Sequence, residues 1–237
     1  MSDAGNCSES FTRLGFVILR DFVTPETCAE LAAELTPRFE SQQGAASSRI
    51  GGVRNLLQSS PRVARLARSA KVLALLQEIL QAEVFPVRSI FFDKTPESNW
   101  AVAWHQDLQL AVAERIETPG FGSWSVKAGV PHVQPPVEIL SRMATLRLHL
   151  DDCDATNGAL RVIPGSHAAG ILDVAESARW QQKPATVAEV PAGGALVMSP
   201  LLLHSSSAAL KPAHRRVLHL EYASGDLPGG LRWFERP

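Results

Sequence analysis

The chain is 237 residues long, a length that suits one domain with a sizeable core, so we expect residues 1–237 to form a single domain. Its 23 lysines and arginines balance 24 aspartates and glutamates, which argues against a nucleic-acid partner and against a membrane surface recognised by charge. Scattered cysteines, a polar first segment and the lack of a long apolar run predict a cytoplasmic protein without disulfides or membrane spans.

Helices dominate the first third of the chain, about residues 1–83. The segment "GFVILRDFVTPETCAELAAELTPRF" predicts a short strand and then a helix, with Thr24 as the cap and Pro25 at the first helical position. Residues 41–52 are predicted to form a mobile surface loop. A second helical region, "SPRVARLARSAKVLALLQEIL", has an apolar face that consists of Val63, Leu66, Ala67, Ala70, Leu73, Ala74 and Leu76 or Gln77.

From about residue 84 to residue 223, apolar and polar residues alternate in short runs that Gly, Pro, Asp or Asn separate. These predicted strands are "VFPVRSIFFDK", "WAVAWHQDL", "ATLRLHLDD", "GALRVIPGSH", "GALVMSPLLLH" and "RRVLHLEYA". Six or more strands with turns between them predict a mainly β core, a double-sheet jelly roll or barrel, with the helices flanking it.

One long connection interrupts the strands. Residues 117–136, "ETPGFGSWSVKAGVPHVQPP", are rich in Pro and Gly and show no strand or helix period. A structureless connection of this length in a compact domain is usually functional, so we expect a lid or binding loop, ordered around Trp124.

A histidine and an aspartate stand two positions apart in the apolar stretch "WAVAWHQDL". In a strand, His105 and Asp107 point to one face and Gln106 to the other. A second histidine from a distant strand would complete the two-His-one-carboxylate set that binds non-haem Fe(II). Without that third ligand, a buried histidine hydrogen-bonded to its neighbouring aspartate is the favoured interpretation of the pattern.

A candidate for the third ligand follows about a hundred residues later. The sequence "GGALVMSPLLLHSSSAALKPAHRR" places His204 at the end of an apolar strand, and Arg215 opens the next predicted strand. Two antiparallel neighbours would bring this imidazole and this guanidinium to the same cavity. The planar fork of arginine suits the far carboxylate of a dicarboxylate bound to the metal.

Together these segments resemble the phytanoyl-CoA dioxygenase family of Fe(II)- and 2-oxoglutarate-dependent oxygenases. The resemblance covers most of the chain and rests on "GFVILRDFVTPETC", "FFDKTP", "WHQD", "DDCDATNGALRVIPGSH", "LLHSSS" and "HRRVLHLEYA". It implies a double-stranded β-helix, the cupin-like jelly roll, as the core. It also implies that the catalytic metal ligands are His105, Asp107 and His204, and that the cosubstrate contacts are Arg215, Ser206, Trp124 and Ile90.

The resemblance further implies that 2-oxoglutarate and O2 are consumed, that succinate and CO2 are released, and that an unactivated C–H bond of a small molecule is hydroxylated. Ascorbate would serve as the reductant in vitro. Three alternatives stay open. The same site could carry out desaturation, epoxidation or cyclisation in natural-product biosynthesis, the protein could be a zinc cupin-like hydrolase or isomerase, or it could be a non-catalytic binding module. The oligomeric state is not predicted.

Basic side chains and one histidine are the candidates for substrate contacts: Arg88, Arg147 and His132. Arg54 in "GGVRNLL" is a candidate for a further basic contact, but a surface salt bridge is the favoured expectation for it. No basic cluster suited to the phosphates of coenzyme A is visible along the sequence, which favours a small molecule over an acyl thioester.

Overall fold

The computed structural model describes residues 4–45 and 52–236. Its helices are α1 (Ala4–Leu14), α2 (Pro25–Ala45), α3 (Leu56–Ser59), α4 (Pro61–Ala67), α5 (Ala70–Leu80), α6 (Val137–Leu140), α7 (Val174–Trp180) and a 3-10 turn at Ser166–Ala169. Its strands are β1 (Phe16–Leu19), β2 (Val53–Arg54), β3 (Phe85–Lys94), β4 (Val102–His105), β5 (Leu110–Ala111), β6 (Gly122–Lys127), β7 (Val130–Gln134), β8 (Met143–His149), β9 (Leu160–Val162), β10 (Thr186–Ala188), β11 (Ala195–Met198), β12 (His204–Ser206) and β13 (Arg215–Ala223).

Three antiparallel sheets organise the described residues. The largest has the order β1-β11-β8-β13-β3-β2, the second the order β10-β9-β12-β4, and a small third sheet the order β5-β7-β6. Every paired strand runs antiparallel to its neighbour, and consecutive strands repeatedly fall in different sheets. This is a jelly roll, so the predicted fold class is confirmed.

The six-stranded sheet separates the main core from the cavity. Alternate residues of its central strands point to the helices and pack with them. This apolar face includes Phe91, Leu146, Leu148, Leu218, Leu220 and Tyr222, together with Leu31, Leu35 and Leu76 from the helices. Burial of each large side chain contributes about 1.5–3 kcal/mol, so the packing holds the opposite, polar face of the sheet rigid.

The helix predictions are confirmed for α2 and only in part for the second helical region. The N–H of Thr27 donates to Oγ1 of Thr24 at 3.3 Å, and α2 begins at Pro25 as predicted. The second region is broken, because Ser69 caps a new helix by accepting a hydrogen bond from the N–H of Val72 at 3.4 Å. The break shifts the helical phase, and the buried residues of α5 are Val72, Leu76 and Ile79.

Strands β3, β8 and β13 lie where the alternation predicts them, but two other strands are shorter than predicted. Strand β4 ends at His105, so Asp107 lies beyond it. Strand β11 ends at Met198, and His204 begins the separate strand β12 in the other sheet. The predicted neighbouring strands for His204 and Arg215 are therefore wrong: the two side chains meet at one cavity from two sheets.

The connection over residues 117–136 is not structureless, contrary to the prediction. Strands β6 and β7 form a hairpin across it, joined by Ala128 and Gly129. Both turn residues have positive φ, 51° and 76°, which is the signature of the tight type I′ hairpin turn. The two-residue Ala-Gly turn, with Val126 and Val130 close on either side, was the sequence signal that could have revealed this hairpin.

Two boundaries differ from the sequence prediction. Helix α2 continues to Ala45, so the first part of the loop predicted at 41–52 is helical, and residues 46–51 of that prediction lie outside the described residues. The helix-rich first part also contributes β1 and β2 to the six-stranded sheet, so it is not a separate layer. Within residues 4–45 and 52–236, no helix has both the length and the apolar character needed to cross a membrane.

Candidate metal centre and cavity

A cavity of about 390 Å³ lies between the six-stranded and four-stranded sheets. Its volume is at the lower end of the range for small-molecule sites. Residues of both sheets, of the β4–β5 connection and of the β6–β7 hairpin line it. Sequence segments that are more than a hundred residues apart therefore share one chamber.

Three side chains of the kind that bind transition metals converge on the cavity wall. His105 at the end of β4 pairs directly with His204 of β12, and their ring centroids are 4.2 Å apart. Asp107 Oδ1 lies 3.6 Å from Nε2 of His105, and Oδ2 lies 3.7 Å from Nε2 of His204. The N–H of Asp107 donates to the carbonyl of Pro200 at 2.9 Å, which holds the carboxylate in place beyond the strand.

Both imidazoles are oriented by the same local hydrogen bond. Nδ1 of His105 lies 2.9 Å from the carbonyl of Ala103, and Nδ1 of His204 lies 2.8 Å from the carbonyl of Leu202. Since a carbonyl only accepts, each Nδ1 carries the proton and each Nε2 presents its lone pair to the cavity. Candidate ligand atoms of the three residues all lie within 4.8 Å of one another, and no other such group of three occurs in the part of the chain that the structure describes.

The protonation states of these residues also suit a metal site. Burial alone would raise the pKa of Asp107, but the nearby imidazoles of His204 and His105 lower it well below its usual range. Burial lowers the pKa of His204 to about 4, so its ring is neutral at pH 7. Burial would lower the pKa of His105, but the carboxylate of Asp107, which its Nε2 faces, raises it. A carboxylate and two imidazoles that present Nε2 to one point form the nitrogen and oxygen donor set of non-haem Fe(II) sites, and these residues fit that ion.

Gln106, between the two ligands, points away from them and ties the surrounding loops together. Its Nε2 donates to the carbonyls of Gly170 at 2.8 Å and Leu201 at 2.6 Å. Its Oε1 accepts from the N–H of Leu172 at 2.9 Å. The predicted opposite orientations of Gln106 and its two neighbours therefore hold, although the strand ends at His105.

Strands β3 and β13 form the polar floor of the cavity. Their facing pairs along the ladder are Arg215 with Lys94, Val217 with Phe92, His219 with Ile90, and Glu221 with Arg88. At about 3.3 Å per residue, six positions separate the two ends of this row by about 20 Å. The floor thus has two polar ends with apolar residues between them, and Ile90 lines the cavity in the middle.

At the first end, two buried cations contact strand β12 and its neighbours. The guanidinium of Arg215 donates through Nη1 to the carbonyl of Gly158. Lys94 donates from Nζ to Oγ of Ser206 at 3.2 Å and to the carbonyl of Ser207 at 2.7 Å. Arg215 and Ser206, which the family resemblance assigns to the cosubstrate, therefore lie at the same end of the cavity.

Gly158 allows these groups to approach each other. Its φ is +84°, and a Cβ at this position would lie 2.8 Å from the carbonyl oxygen of Ser207 and 3.2 Å from Nζ of Lys94. Any side chain here would push the two apart. The glycine in "NGALRV" is thus required by close packing at this end as well as by its turn.

Lys94 is a residue at this end that the sequence pattern did not single out. Burial, reinforced by the nearby charge of Arg215, lowers the pKa of its ammonium to about 7. Its position at the end of "FFDK", alternating with the cavity residues Ile90 and Phe92, was the available signal. Two buried cations side by side make this end suitable for a carboxylate.

At the second end, four side chains form a continuous polar chain. Arg88 Nη1 donates to Glu221 Oε1 at 2.8 Å, and His219 Nε2 lies 3.1 Å from the same oxygen. Arg147 Nη1 lies 2.9 Å from Nδ1 of His219. The arginine can only donate, so Nδ1 of His219 accepts and Nε2 carries the proton that is given to Glu221. Arg88 and Arg147 both line the cavity.

Two further cations line the cavity near this second end, and by register Arg54 lies in the row of Ile90 and His219, two residues nearer the middle than Arg88. Arg54 follows Val53 in β2, and Lys127 ends β6. Nη1 of Arg54 is buried without a hydrogen-bond partner, and neither residue forms an ion pair within residues 4–45 and 52–236. Burial and the charge of Arg88 lower the pKa of both groups. The predicted surface salt bridge of Arg54 is therefore wrong.

The structure does not bring Trp124 or His132 to the cavity wall. Ser125 and Lys127 point to the cavity side of β6, so the strand alternation turns Trp124 to the other side, where it packs under Arg115 at 5.2 Å. His132 is buried behind the wall, with Nδ1 bonded to the carbonyl of Val130 at 2.9 Å. Their predicted roles as cosubstrate and substrate contacts have no support from this arrangement.

Comparison with known proteins places these features in context. A family model described as phytanoyl-CoA dioxygenase (PhyH) matches residues 11–217. An ectoine dioxygenase of Bordetella bronchiseptica is 26% identical over 184 residues, which cover 74% of this chain and 53% of that protein. The chain thus spans about half the length of the curated relatives it matches.

Solved structures share the fold at lower identity. EctD from S. alaskensis, with 2-oxoglutarate and 5-hydroxyectoine, matches with a TM-score of 0.71 at 20% identity, over 94% of this chain and 78% of that one. SnoK, described as a non-haem α-ketoglutarate-dependent carbocyclase from nogalamycin biosynthesis, matches with a TM-score of 0.72 at 15% identity, over 95% and 85%.

Proposed function

Because the chain belongs to the phytanoyl-CoA dioxygenase family, we propose that it is an Fe(II)- and 2-oxoglutarate-dependent oxygenase that hydroxylates an unactivated C–H bond of a small molecule. In this reaction one oxygen atom of O2 enters succinate and the other enters the product, and CO2 is released. The observation that carries the proposal is the position of Arg215 and Ser206 in the same cavity as the three candidate ligands, with Lys94 bonded to Ser206.

His105, Asp107 and His204 would hold the metal through Nε2, a carboxylate oxygen and Nε2. When bound, Fe(II) supplies the activation of O2. Arg215 would bind the far carboxylate of 2-oxoglutarate with its guanidinium fork, and Ser206 would donate its hydroxyl proton to the same group. The apolar side chains of Ile90 and Phe92 would keep water from the middle of the cavity.

Arg215 also favours the oxygenase over the zinc alternative. A hydrolytic or isomerising zinc enzyme needs three protein ligands and a water molecule, and has no use for a buried guanidinium facing the site. The structurally similar SnoK is a carbocyclase, which makes another oxidative outcome the second candidate. The pose of the substrate, and not the ligand set, would decide between hydroxylation and that outcome.

The test is succinate formation. Purified protein is incubated with Fe(II), ascorbate, 2-oxoglutarate and air, with and without a panel of small molecules, and succinate is measured. We expect slow succinate release alone and faster release with a substrate. No succinate under any condition, or turnover of a panel compound with Zn(II) and without 2-oxoglutarate, would contradict the proposal. Labelled O2 separates hydroxylation and epoxidation, which leave label in the product, from desaturation and cyclisation, which do not. The product mass and olefin content then separate the first two.

A further inference from the structure

The second end of the cavity has more positive than negative charge. Arg54, Arg88 and Lys127 line it, and Glu221 is the carboxylate that faces them. Glu221 is already engaged, because one of its oxygens accepts from both Arg88 and His219. Arg54 and Lys127 are therefore left without an ion-pair partner among the described residues, although the charge of Glu221 acts on both and that of the metal ligand Asp107 acts on Lys127.

The cofactors of the proposed reaction do not correct this imbalance. Fe(II), the ligand carboxylate of Asp107 and the two carboxylates of 2-oxoglutarate would together carry one negative charge, which acts on the buried cation Arg147, and the far carboxylate of the cosubstrate would be bound at Arg215. Arg215 is six residues from Glu221 along β13, about 20 Å at the usual rise per residue. Arg54 lies across the sheet, in the row Arg54, Ile90, His219, Arg147.

Unpaired cations in a partly buried cavity wall are unfavourable unless a ligand supplies the opposite charge and the hydrogen-bond acceptors. The pKa values of Arg54 and Lys127 are both lowered, first by burial and then by neighbouring positive charge. The two residues come from separate elements, β2 and the β6–β7 hairpin, and both face the same cavity. An anion between them would satisfy the buried Nη1 of Arg54 and relieve the repulsion.

We infer that the substrate oxidised in this cavity carries an anionic group, a carboxylate or a phosphate ester, which binds between Arg54 and Lys127. This inference rests on the proposed function and narrows its substrate class. Arg88 is kept from the anion by its ion pair with Glu221, so two charges and not three are available. Two charges match one anionic group.

The experiment uses the full chain with Mn(II) in place of Fe(II) and saturating 2-oxoglutarate, so that no turnover occurs. The probes are three carboxylates: butanoate, hexanoate and benzoate. Each carboxylate is compared with its neutral primary amide and with the corresponding phosphate ester, which is butyl, hexyl or phenyl phosphate. Paramagnetic broadening of the probe resonances by Mn(II) reports binding near the metal. We expect carboxylates or phosphates to be broadened, the amides about tenfold less or not at all, and the more strongly broadened anion to identify the group.

Charge-removing and charge-retaining variants assign the effect. Arg54→Gln combined with Lys127→Gln should remove the preference for anions, whereas Arg54→Lys combined with Lys127→Arg should keep it. Arg65→Gln with Lys183→Gln is the matched control, because both cations are exposed and outside the cavity wall. The inference would be overturned if acids and amides were broadened equally or if no anion were broadened. It would also be overturned if the preference for anions survived in the double Gln variant.

The 2-oxoglutarate signal separates this result from a failure of the proposed function. If 2-oxoglutarate is broadened by Mn(II) and the anionic probes are not preferred, the oxygenase proposal stands and the substrate inference is wrong. If 2-oxoglutarate itself is not broadened, both are wrong.

Discussion

The two ends of the cavity floor differ in how their cations are held. At the first end, the protein's own carbonyl and hydroxyl oxygens contact the cations: Arg215 donates to the carbonyl of Gly158, and Lys94 donates to Ser206 and Ser207. The buried Nε of Arg215 has no hydrogen-bond partner among the described residues and is left for a ligand. At the second end, Arg54 and Lys127 have no hydrogen-bond or ion-pair partner among the described residues. The first end is preorganised for one ligand, and the second leaves its charges to a ligand.

This difference matches the two tasks of the proposed reaction. A cosubstrate of constant chemistry benefits from fixed donors, because little ordering is needed when it binds. A substrate is bound by groups that must discriminate it from competitors, and unpaired charges reject neutral molecules as well as attract anions. Variants in and around the first end test this division, beginning with the metal site that both ends share.

The largest effect is expected for His204→Ala. Loss of a group that only hydrogen-bonds to a metal ligand weakens metal binding by up to about 100-fold. His204 would coordinate the metal directly through Nε2, so its removal should weaken metal binding by more than that. Mn(II) titration followed by electron paramagnetic resonance measures it. His167→Gln, at a histidine outside the cavity wall, is the control and should bind the metal normally. Unchanged affinity in His204→Ala would remove this residue from the metal site.

Arg215→Met should weaken the binding of 2-oxoglutarate without changing the binding of the metal. Loss of one partner of a buried charged pair costs about 2–5 kcal/mol, so the Kd of 2-oxoglutarate should rise at least about 30-fold. Calorimetric titration of the Mn(II)-loaded protein measures this, and metal affinity should not change. Arg216→Met is the matched control, since Arg216 is bonded to Asp151 at 2.8 Å and is outside the cavity wall. Equal losses in both variants would refute the assignment.

Gly158→Ala tests how tightly the first end is packed. The positive φ alone costs about 1–2 kcal/mol for a residue with a side chain. Gly129→Ala is the control, because Gly129 has a similar φ of +76° and no atom near the added Cβ. We expect Gly158→Ala to lower the free energy of unfolding in urea by more than Gly129→Ala does, and to weaken 2-oxoglutarate binding. Similar effects of the two would mean that this end can relax.

The smallest effect is a dependence of stability on pH that comes from Lys94. Burial, and after it the charge of Arg215, lowers the pKa of this lysine in the folded protein from 10.5 to about 7. Between these values the unfolded chain binds more protons, so the free energy of unfolding should rise with pH above 7. In Lys94→Met that contribution disappears, whereas the exposed Lys183→Met retains it. Urea unfolding at several pH values, without 2-oxoglutarate, measures the slopes. Identical slopes in the wild type and Lys94→Met would contradict the prediction.

The candidate site was visible in the sequence because its residues are rare in apolar runs. His105 and Asp107 interrupt one apolar stretch and His204 follows another, so the local pattern marked them as candidates, and the family resemblance implied that they form one ligand set. The strands carrying Ile90, Arg147 and Arg215 were recognisable for a similar reason, since half-buried strands alternate. What the pattern could not show was where each strand stops. The backbone bond of Asp107 to Pro200 and the side-chain bonds of Gln106 decide that, and they come from distant segments.

The hairpin and Trp124 show the opposite case. The short β6–β7 hairpin is half polar and has a small turn, so its period is too weak to stand out from a Pro- and Gly-rich segment. Once it is formed, its alternation turns Lys127 into the cavity and Trp124 out of it. Strand alternation thus leaves the cosubstrate role that the family resemblance assigns to Trp124 without structural support.

Alternation and residue chemistry are local properties, so the order of amino acids was sufficient to indicate a jelly roll in which two histidines and an aspartate are able to meet. Which charges share a wall is a different matter, because it depends on how distant strands pair. Arg54, Arg88 and Lys127 are dispersed over three segments and become one cationic end through sheet register and hairpin placement. Register is set by long-range pairing, which no local pattern encodes, and the inferred choice of substrate depends on it.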